Sequence, residues 1–487
     1  MKTSSFALTL TALLISNSLQ AEGFKLYEQS VSAMGNGYAG RGAQISDATL
    51  VYSNPAALTE LQKPQLSTGA TFIHATTDYQ VQTVKSAAGQ SVIGRETGKN
   101  SLNELVPFLF YNDRLDAKWS YGLGFYVPFG LSSDYADDWA GRYFADETAI
   151  EVVALQASAG YRLNDQWSLG GGISLNRAAG KLSKFKDHSG LCETGSNINA
   201  VYGANVYNDA YCNSHYQVSG DDVKLGYNLA VHGRFATGTT LGLIYHSKIG
   251  FDLHGNSEIT NTPITGANVA GNSNFIVVAP NLPAINKATG KLAHNPIALE
   301  KSSVALTTPA DLTLSLDQTL NTDWSLQASI SWTGWSKFQS IDIVSRDPNP
   351  TMSLSTQLPQ NLNAPGYIGY IPEYWRDTVS AAIGTTWQFS DTRQLKSGIA
   401  YDENPISTSH KTARVPTKDR IWLTMGWHEE LSNTWSMDVA LGYLWMSNLT
   451  SNEAEYNVQD VRINKANLQA NYSNHAMLAG IQLNYMF

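Results

Sequence analysis

The residues that could carry chemistry are few and widely spaced. "SAMGNGYAGRGAQISDATLVYSNPAAL", residues 32–58, contains Gly35-x-Gly37-x-x-Gly40, which spells a dinucleotide-binding turn. That chemistry needs a buried strand before the glycines, a helix after them and an acid about twenty residues on. "KLYEQSV" is too polar for such a strand and Asp47 comes too early, so the glycines read as a small-residue coil packed closely against something. His232 and His246 fall on the inward face of one hairpin, 217–253, where they are expected to be diagonal neighbours. No Ser or Asp completes a nucleophilic set with them, and neither HExxH nor GxSxG occurs. They read as lumen histidines with structural partners, and no catalytic residue, metal ligand or cofactor is expected. Cys192 and Cys212 are expected to close one loop as a disulfide if the chain is exported, with free thiols or metal ligands as alternatives.

Two further sets of residues could meet a ligand, an apolar run and three cations. "SNFIVVAPNLPAI" places Phe275, Ile276, Val277 and Val278 in a long loop, read as an outer docking site, with a small satellite core under its own loop as the alternative. Each buried methylene is worth about 0.8 kcal/mol, so a long acyl tail binds with little polar help. Arg177, Lys181 and Lys337 lie near the outer ends of the fifth and ninth predicted strands and are the candidate partners of a carboxylate. The net charge of −9 argues against a nucleic-acid surface.

The elements that must position these residues are strands. Lys2, the apolar "FALTLTALLI" and the small and polar "SNSLQA" follow the order of a secretory signal peptide cut after about Ala21. No later apolar run approaches the ~20 residues of a membrane-spanning helix. Alternation with period two is strong instead. In "TWSMDVALGYLW" one face carries Trp435, Met437, Val439, Leu441, Tyr443 and Trp445, and "VVALQASAGYRL", "WSLGGGISL" and "TVSAAIGTTWQF" repeat the pattern. Such strands are expected at 65–81, 101–112, 117–130, 147–163, 166–183, 217–236, 239–253, 303–317, 322–338, 376–389, 393–404, 418–430, 434–448 and 470–487. Fourteen is an even number, short turns such as "LNDQ", "LNTD" and "LSNT" alternate with long loops, and the last strand ends on the aromatic Phe487. These are the marks of an all-β, fourteen-stranded antiparallel transmembrane barrel of a Gram-negative outer membrane. Residues 22–64 do not alternate and are rich in Gly, Ala and Ser, and the economical place for them is the barrel lumen, as a plug. The domain reading is a signal peptide at 1–21, a hatch at 22–64 and a barrel at 65–487.

Several pieces, in order, resemble the FadL family of long-chain fatty acid transporters, which includes TodX-like aromatic hydrocarbon channels. They are "EGFKLYEQSVSAMGNGYAG", "SNPAAL", "SDYADDWAGRYFADET", "WTGWSKFQSI", "WRDTVSAAIGTTW", "SGIAYDENPIS", "PTKDRIWLTMGW" and "LNYMF". The resemblance implies a fourteen-stranded barrel with an N-terminal hatch. It implies docking among outer loops, transfer to a pocket above the hatch, and sideways exit beside a kinked third strand. Phe24 would reach the inner pocket, and Asn54, Pro55 and Ala56 would face the kinked strand. In "WSYGLGFYVPFGL", Gly122, Gly124, Pro128 and Gly130 weaken that strand, an ordinary rim bulge being the alternative. The expected function is passive uptake of long-chain fatty acids, with monoaromatic or alkane hydrocarbons second and a hydrolase or adhesin barrel a weaker alternative. The expected partners are the hydrophobic substrate, lipopolysaccharide and other outer-membrane lipids, and the barrel assembly machinery.

Overall fold

The computed structural model describes residues 23–188, 213–236, 238–277, 284–352 and 366–487; the signal segment, both cysteines and Val278 lie outside them. The alternating stretches form β1 (Gln65–Lys85), β2 (Thr97–Arg114), β3 (Trp119–Asp134), β4 (Glu147–Arg162), β5 (Trp167–Asp187) and β6 (Asn213–Phe235). The next four are each interrupted once: β7 (Thr239–His246 and Ile249–Pro263), β8 (His294–Thr308 and Asp311–Thr319), β9 (Trp324–Thr333 and Ser340–Ser345) and β10 (Tyr367–Pro372 and Thr378–Ser390). Then come β11 (Arg393–Asp402), β12 (Arg420–Glu430), β13 (Trp435–Met446 and Leu449–Tyr456) and β14 (Arg462–Met486). Each strand pairs antiparallel with its neighbours, and β14 returns to β1 from Gln65↔Met486 to Lys85↔Asn467. The fourteen expected strands are present and the sheet closes, which removes the free edge that hydrocarbon would not tolerate.

The outward face shows why the chain folds this way. On β9, Trp324 and Trp332 are each 40% exposed and bracket outward Leu326 and Ile330, while Gln327 and Ser331 face in and are buried. Eight residues of strand span roughly 27 Å, which after strand tilt fits an apolar band of about 25 Å. Trp119, Trp167, Trp387 and Trp435 extend the lower aromatic girdle around the barrel. The interruptions in β7 to β10 lie at one level, where His246, Asp311, Thr333 and Thr378 form a row of cross-strand partners. Above it the strands continue farther than the alternation had indicated, because there both faces meet polar or protein surroundings and the period-two signal fades.

Residues 23–60 lie inside the barrel as two short helical turns, α1 (Val31–Met34) and α2 (Leu50–Ser53), and a 3-10 turn at Pro55–Glu60. Their backbone docks on bare backbone. A Cβ added to Gly122 would collide with Val51, to Gly160 with Pro55, to Gly170 with Ala56, to Gly242 with Gly42, to Gly384 or Gly398 with Asn36, to Gly426 with Gly35, and to Gly480 with Val31. The wall is thus studded with glycine sockets for the plug. The same contacts explain the GxGxxG spelling: Gly37 and Gly40 have φ of +66° and +69°, and the segment packs on Gly426, Gly398 and Gln327, with no phosphate-binding helix behind it.

Replacing Gly398 with Val is expected to push Asn36 off the wall while the barrel still runs as a heat-modifiable folded band. Planar-bilayer recordings should then show ion-conducting steps absent from the wild type; a silent, folded variant would contradict the socket account.

Candidate functional site

The site starts at a break in the β ladder. β2 and β3 pair only from Arg114↔Ser120 to Leu109↔Phe125, although both strands run on beyond. Beyond Phe125, β3 loses its alternation and is buried from Tyr126 to Ser133, with a register shift against β4 between Tyr126 and Phe129. Pro128 has no N–H to give to a ladder. The orphaned backbone is taken up by the plug: Leu26 N donates to Pro128 O (2.9 Å), Gly130 N to Phe24 O (2.9 Å), and Gln29 Nε2 to Val127 O (2.9 Å). The wall therefore has a seam between β2 and β3, closed on the inside by the N-terminal segment. Above the seam, Arg95 N donates to Asp138 O (2.7 Å) and Ala140 N to Arg95 O (3.0 Å), which reseals the wall. Gly124 carries no side chain because Phe110 fills its place, and Gly122 is a plug socket; Pro128 and Gly130 sit in the kink itself.

Beside the seam lies a packed cluster of aromatic side chains, the chamber, filled by Phe24. Phe24 is 1% exposed, and its ring lies 4.8 Å from Trp335, 5.6 Å from Phe338, and 5.8 Å from both Phe129 and Trp375. The strand interruptions deliver these partners. Trp335 and Phe338 come from the break in β9 and Trp375 from the break in β10, where a regular strand would send alternate side chains outward. Leu131, Leu182, Val218, Leu253, Leu306 and Ile341 extend the same apolar cluster toward the outside. Beneath Phe24 the character changes. Lys25 Nζ meets Asp311 (3.5 Å), which also holds His246 (3.2 Å), all largely buried. Burial pushes the carboxyl of Glu28 in the plug up to about 7, against its own backbone hydrogen bond and the pull of Arg420 and Arg41. Such buried charges do not add stability cheaply, but they fix the register in which the plug can sit.

Outside the chamber is a cavity of about 420 Å³ lined by Tyr143, Phe185, Lys186, Tyr216, Ile368 and Arg414, among others. Leu182 belongs to both this cavity and the chamber cluster. Its apolar walls carry both cations, Lys184, Lys186 and Arg414, and the acids Asp187, Glu453 and Glu455, with Lys184 paired to Glu455, a mixed lining that suits an amphiphile.

Four expectations are corrected. Arg177 and Lys181 face outward, on the same odd-numbered face of β5 as Leu169, Ile173 and Leu175, and pair with Asp221 (3.3 Å) and Glu147 (2.5 Å); Lys337 is exposed on the break in β9, so none of the three reaches the chamber. Asn54 binds Gly42 O (2.6 Å) and Val231 O (3.1 Å) and caps the 3-10 turn through Ala56 N (3.1 Å). It faces β6, with Pro55 and Ala56 on β4 and β5; Val51 and Leu58 are what reach β3 at Gly122. Phe275 and Ile276 pair with Ile285 and Asn286 in a small sheet of their own loop, with Val277 exposed, which matches the satellite-core alternative; none of the three lines the outer cavity. His232 and His246 are not diagonal neighbours: they lie opposite Gly242 and Asn228, and His246 stacks on Tyr52 at 4.8 Å. Trp335, Phe338, Trp375 and Arg414 escaped the sequence reading because they come from breaks and a loop, where no periodicity points.

Replacing Phe24 with Ala removes the hub of the chamber, a truncation worth about 3–5 kcal/mol in a packed core. It is expected to weaken binding of a hydrophobic probe and to red-shift tryptophan emission as water reaches Trp335 and Trp375, with the folded band retained. Unchanged emission would show that the ring is not the hub.

The family model described as "Outer membrane protein transport protein (OMPP1/FadL/TodX)" matches residues 12–487. The chain is similar to the long-chain fatty acid transport protein of Escherichia coli K12, at 25% identity over 99% of this chain and 98% of that one. It is also similar to outer membrane protein P1 of Haemophilus influenzae, at 26% identity over the whole of both chains. In fold it is similar to the crystal structure of a Pseudomonas aeruginosa FadL homologue, with TM-score 0.77 at 20% identity over 96% of this chain and 100% of that one. The Pseudomonas putida toluene transporter TodX is similar too, with TM-score 0.61 at 18% identity over 95% and 99%.

Proposed function

The chain belongs to the OMPP1/FadL/TodX family of outer membrane transport proteins, and on that membership we propose that it carries hydrophobic small molecules passively across the outer membrane, long-chain fatty acids foremost. The observation that carries this reading is the apolar chamber around Phe24 lying against the unpaired seam between β2 and β3, with the bore beneath it filled by residues 23–60. A plugged bore denies water a straight path, while a seam in the wall offers an oily molecule a sideways one. In this reading residues 1–21 are the export signal, residues 22–64 act as a hatch, and the substrate passes from the outer cavity to the chamber and out through the seam. Movement of Phe24, Lys25 and Leu26 off β3 is what opens it.

Monoaromatic or alkane hydrocarbons are the second reading, and the outward direction of Arg177, Lys181 and Lys337 favours it. Lys186 and Arg414 in the outer cavity restore the case for a carboxylate. The outward ion pairs Arg177–Asp221 and Lys181–Glu147 suit the headgroups of lipopolysaccharide. The outward apolar face of β14, with Met477 and Ile481 exposed, suits the barrel assembly machinery.

Labelled oleate and toluene uptake in cells lacking their own transporter tests the reading. Oleate uptake is expected to rise severalfold with the gene and toluene uptake less; equal uptake with and without the gene for both compounds would sink it. Asn54→Trp, which breaks the bonds to Gly42 and Val231, is expected to impair transport while the heat-modifiable band survives. Loss of the band would make this element structural only.

A further inference from the structure

The connection between β11 and β12 turns back into the barrel, and Lys411–Thr417 are buried throughout. It crosses the bore from one flank of the seam to the other. On the β3–β5 side, Ser133 Oγ donates to Arg414 O (3.4 Å) and Tyr135 OH to Ala413 O (2.7 Å). On the β13–β14 side, Ala413 N donates to Glu453 Oε2 (2.8 Å) and Asn474 Nδ2 to Pro416 O. Arg414 lines the outer cavity, whereas Ile406 and Val415 belong to the chamber cluster. The segment thus runs along the boundary between the cavity and the packed chamber cluster, which also meet through Leu182, Tyr216, Ile343 and Ile368, and it is separate from the plug.

The segment is latched by one side chain. Arg414, 3% exposed, donates to Ser183 O (2.9 Å), Thr148 Oγ1 (3.0 Å) and Glu147 O (3.3 Å), all neutral oxygens, and joins no ion pair among the described residues. Lys186 shares the cavity, likewise without an ion pair among those residues, its ammonium 5.3 Å from the centre of the Tyr216 ring. A guanidinium binds a carboxylate more strongly than it binds neutral oxygens, and often with two parallel bonds.

Resting on the transport reading above, we propose that Arg414 is the residue that distinguishes a carboxylate-bearing amphiphile from a neutral hydrocarbon of the same length. A carboxylate arriving in the outer cavity, with Lys186 beside it, draws the guanidinium away from Glu147, Thr148 and Ser183. The segment then comes loose from β4 and β5, and the tail slides past Val415 toward Phe24. A neutral hydrocarbon gives Arg414 no better partner and so cannot shift that equilibrium, since a ligand moves a two-state element only by its difference in affinity for the two states. It crosses only when the latch opens spontaneously.

The test compares oleate with oleyl alcohol, which has the same tail, in cells lacking their own transporter, each corrected for uptake without the gene. The wild-type protein is expected to favour oleate by about tenfold, the scale of one charge-assisted hydrogen bond. Arg414→Gln should bring the ratio near one, and Arg414→Lys should keep part of it. A folded Arg414→Gln protein with the wild-type ratio overturns the proposal. If Arg414→Gln yields no folded band, Thr148→Val decides: it keeps the charge but removes one latch bond, and should raise oleyl alcohol uptake and lower the ratio, an unchanged ratio again counting against the latch. If the wild-type protein carries neither compound, nor toluene, the transport reading fails; if it carries both compounds equally, only the latch does.

Discussion

In the hydrocarbon of a membrane a backbone N–H or C=O without a partner costs several kcal/mol, and the whole molecule is arranged around that cost. Among the described residues a closed ladder of fourteen strands meets it around the barrel, with short interruptions in β7 to β10 and β13 and its widest opening where β3 leaves β2. There the N-terminal segment supplies what the ladder does not, bonding to Pro128, Gly130 and Val127 from inside. The weakest place in the wall and the start of the plug are therefore one structure. Any movement of the plug at Phe24–Leu26 exposes the unpaired backbone of β3, and any ligand that displaces Phe24 acts on the seam directly.

The plug is held by two kinds of contact. Its seat combines wall glycines, against which its backbone lies close, with side chains packed on the wall, such as Tyr38 on Trp422 and Tyr52 on Tyr126. Close backbone contact gives a tight seal with little side-chain entropy to lose. Its charged anchor, Lys25 on Asp311 and His246, is buried and register-specific. Sealing and positioning are divided between these contacts, while Phe24 is the plug residue that enters the apolar cluster above.

Breaks in the strands do the rest. A regular strand buries every second side chain and sends the others to lipid. At the interruptions in β9 and β10 the chain gathers Trp335, Phe338 and Trp375 on one side, and a box around Phe24 becomes possible. The inward connection between β11 and β12 places a buried arginine where a soluble reading of "KTARVPTKDR" would put a solvated loop.

Sequence alone determined the number of strands, their closure and the inside position of the glycine-rich beginning, because alternation, turn chemistry and a dense run of small residues are local signals with a single physical outcome. It also marked Phe24 and the weak third strand, through residues that resemble a known family. Tertiary structure decided which way the cations point and what surrounds Phe24. Arg177 and Lys181 read as ligands until their phase placed them on the lipid side, and Trp335 and Trp375 carried no periodicity to mark them. The reason is that the unbroken alternation of β5 carries Arg177 and Lys181 along its outward face, whereas the breaks in β9 and β10 release Trp335 and Trp375 from any period. Where a strand breaks, and toward which neighbour a loop folds, is settled by contacts between residues far apart in the chain.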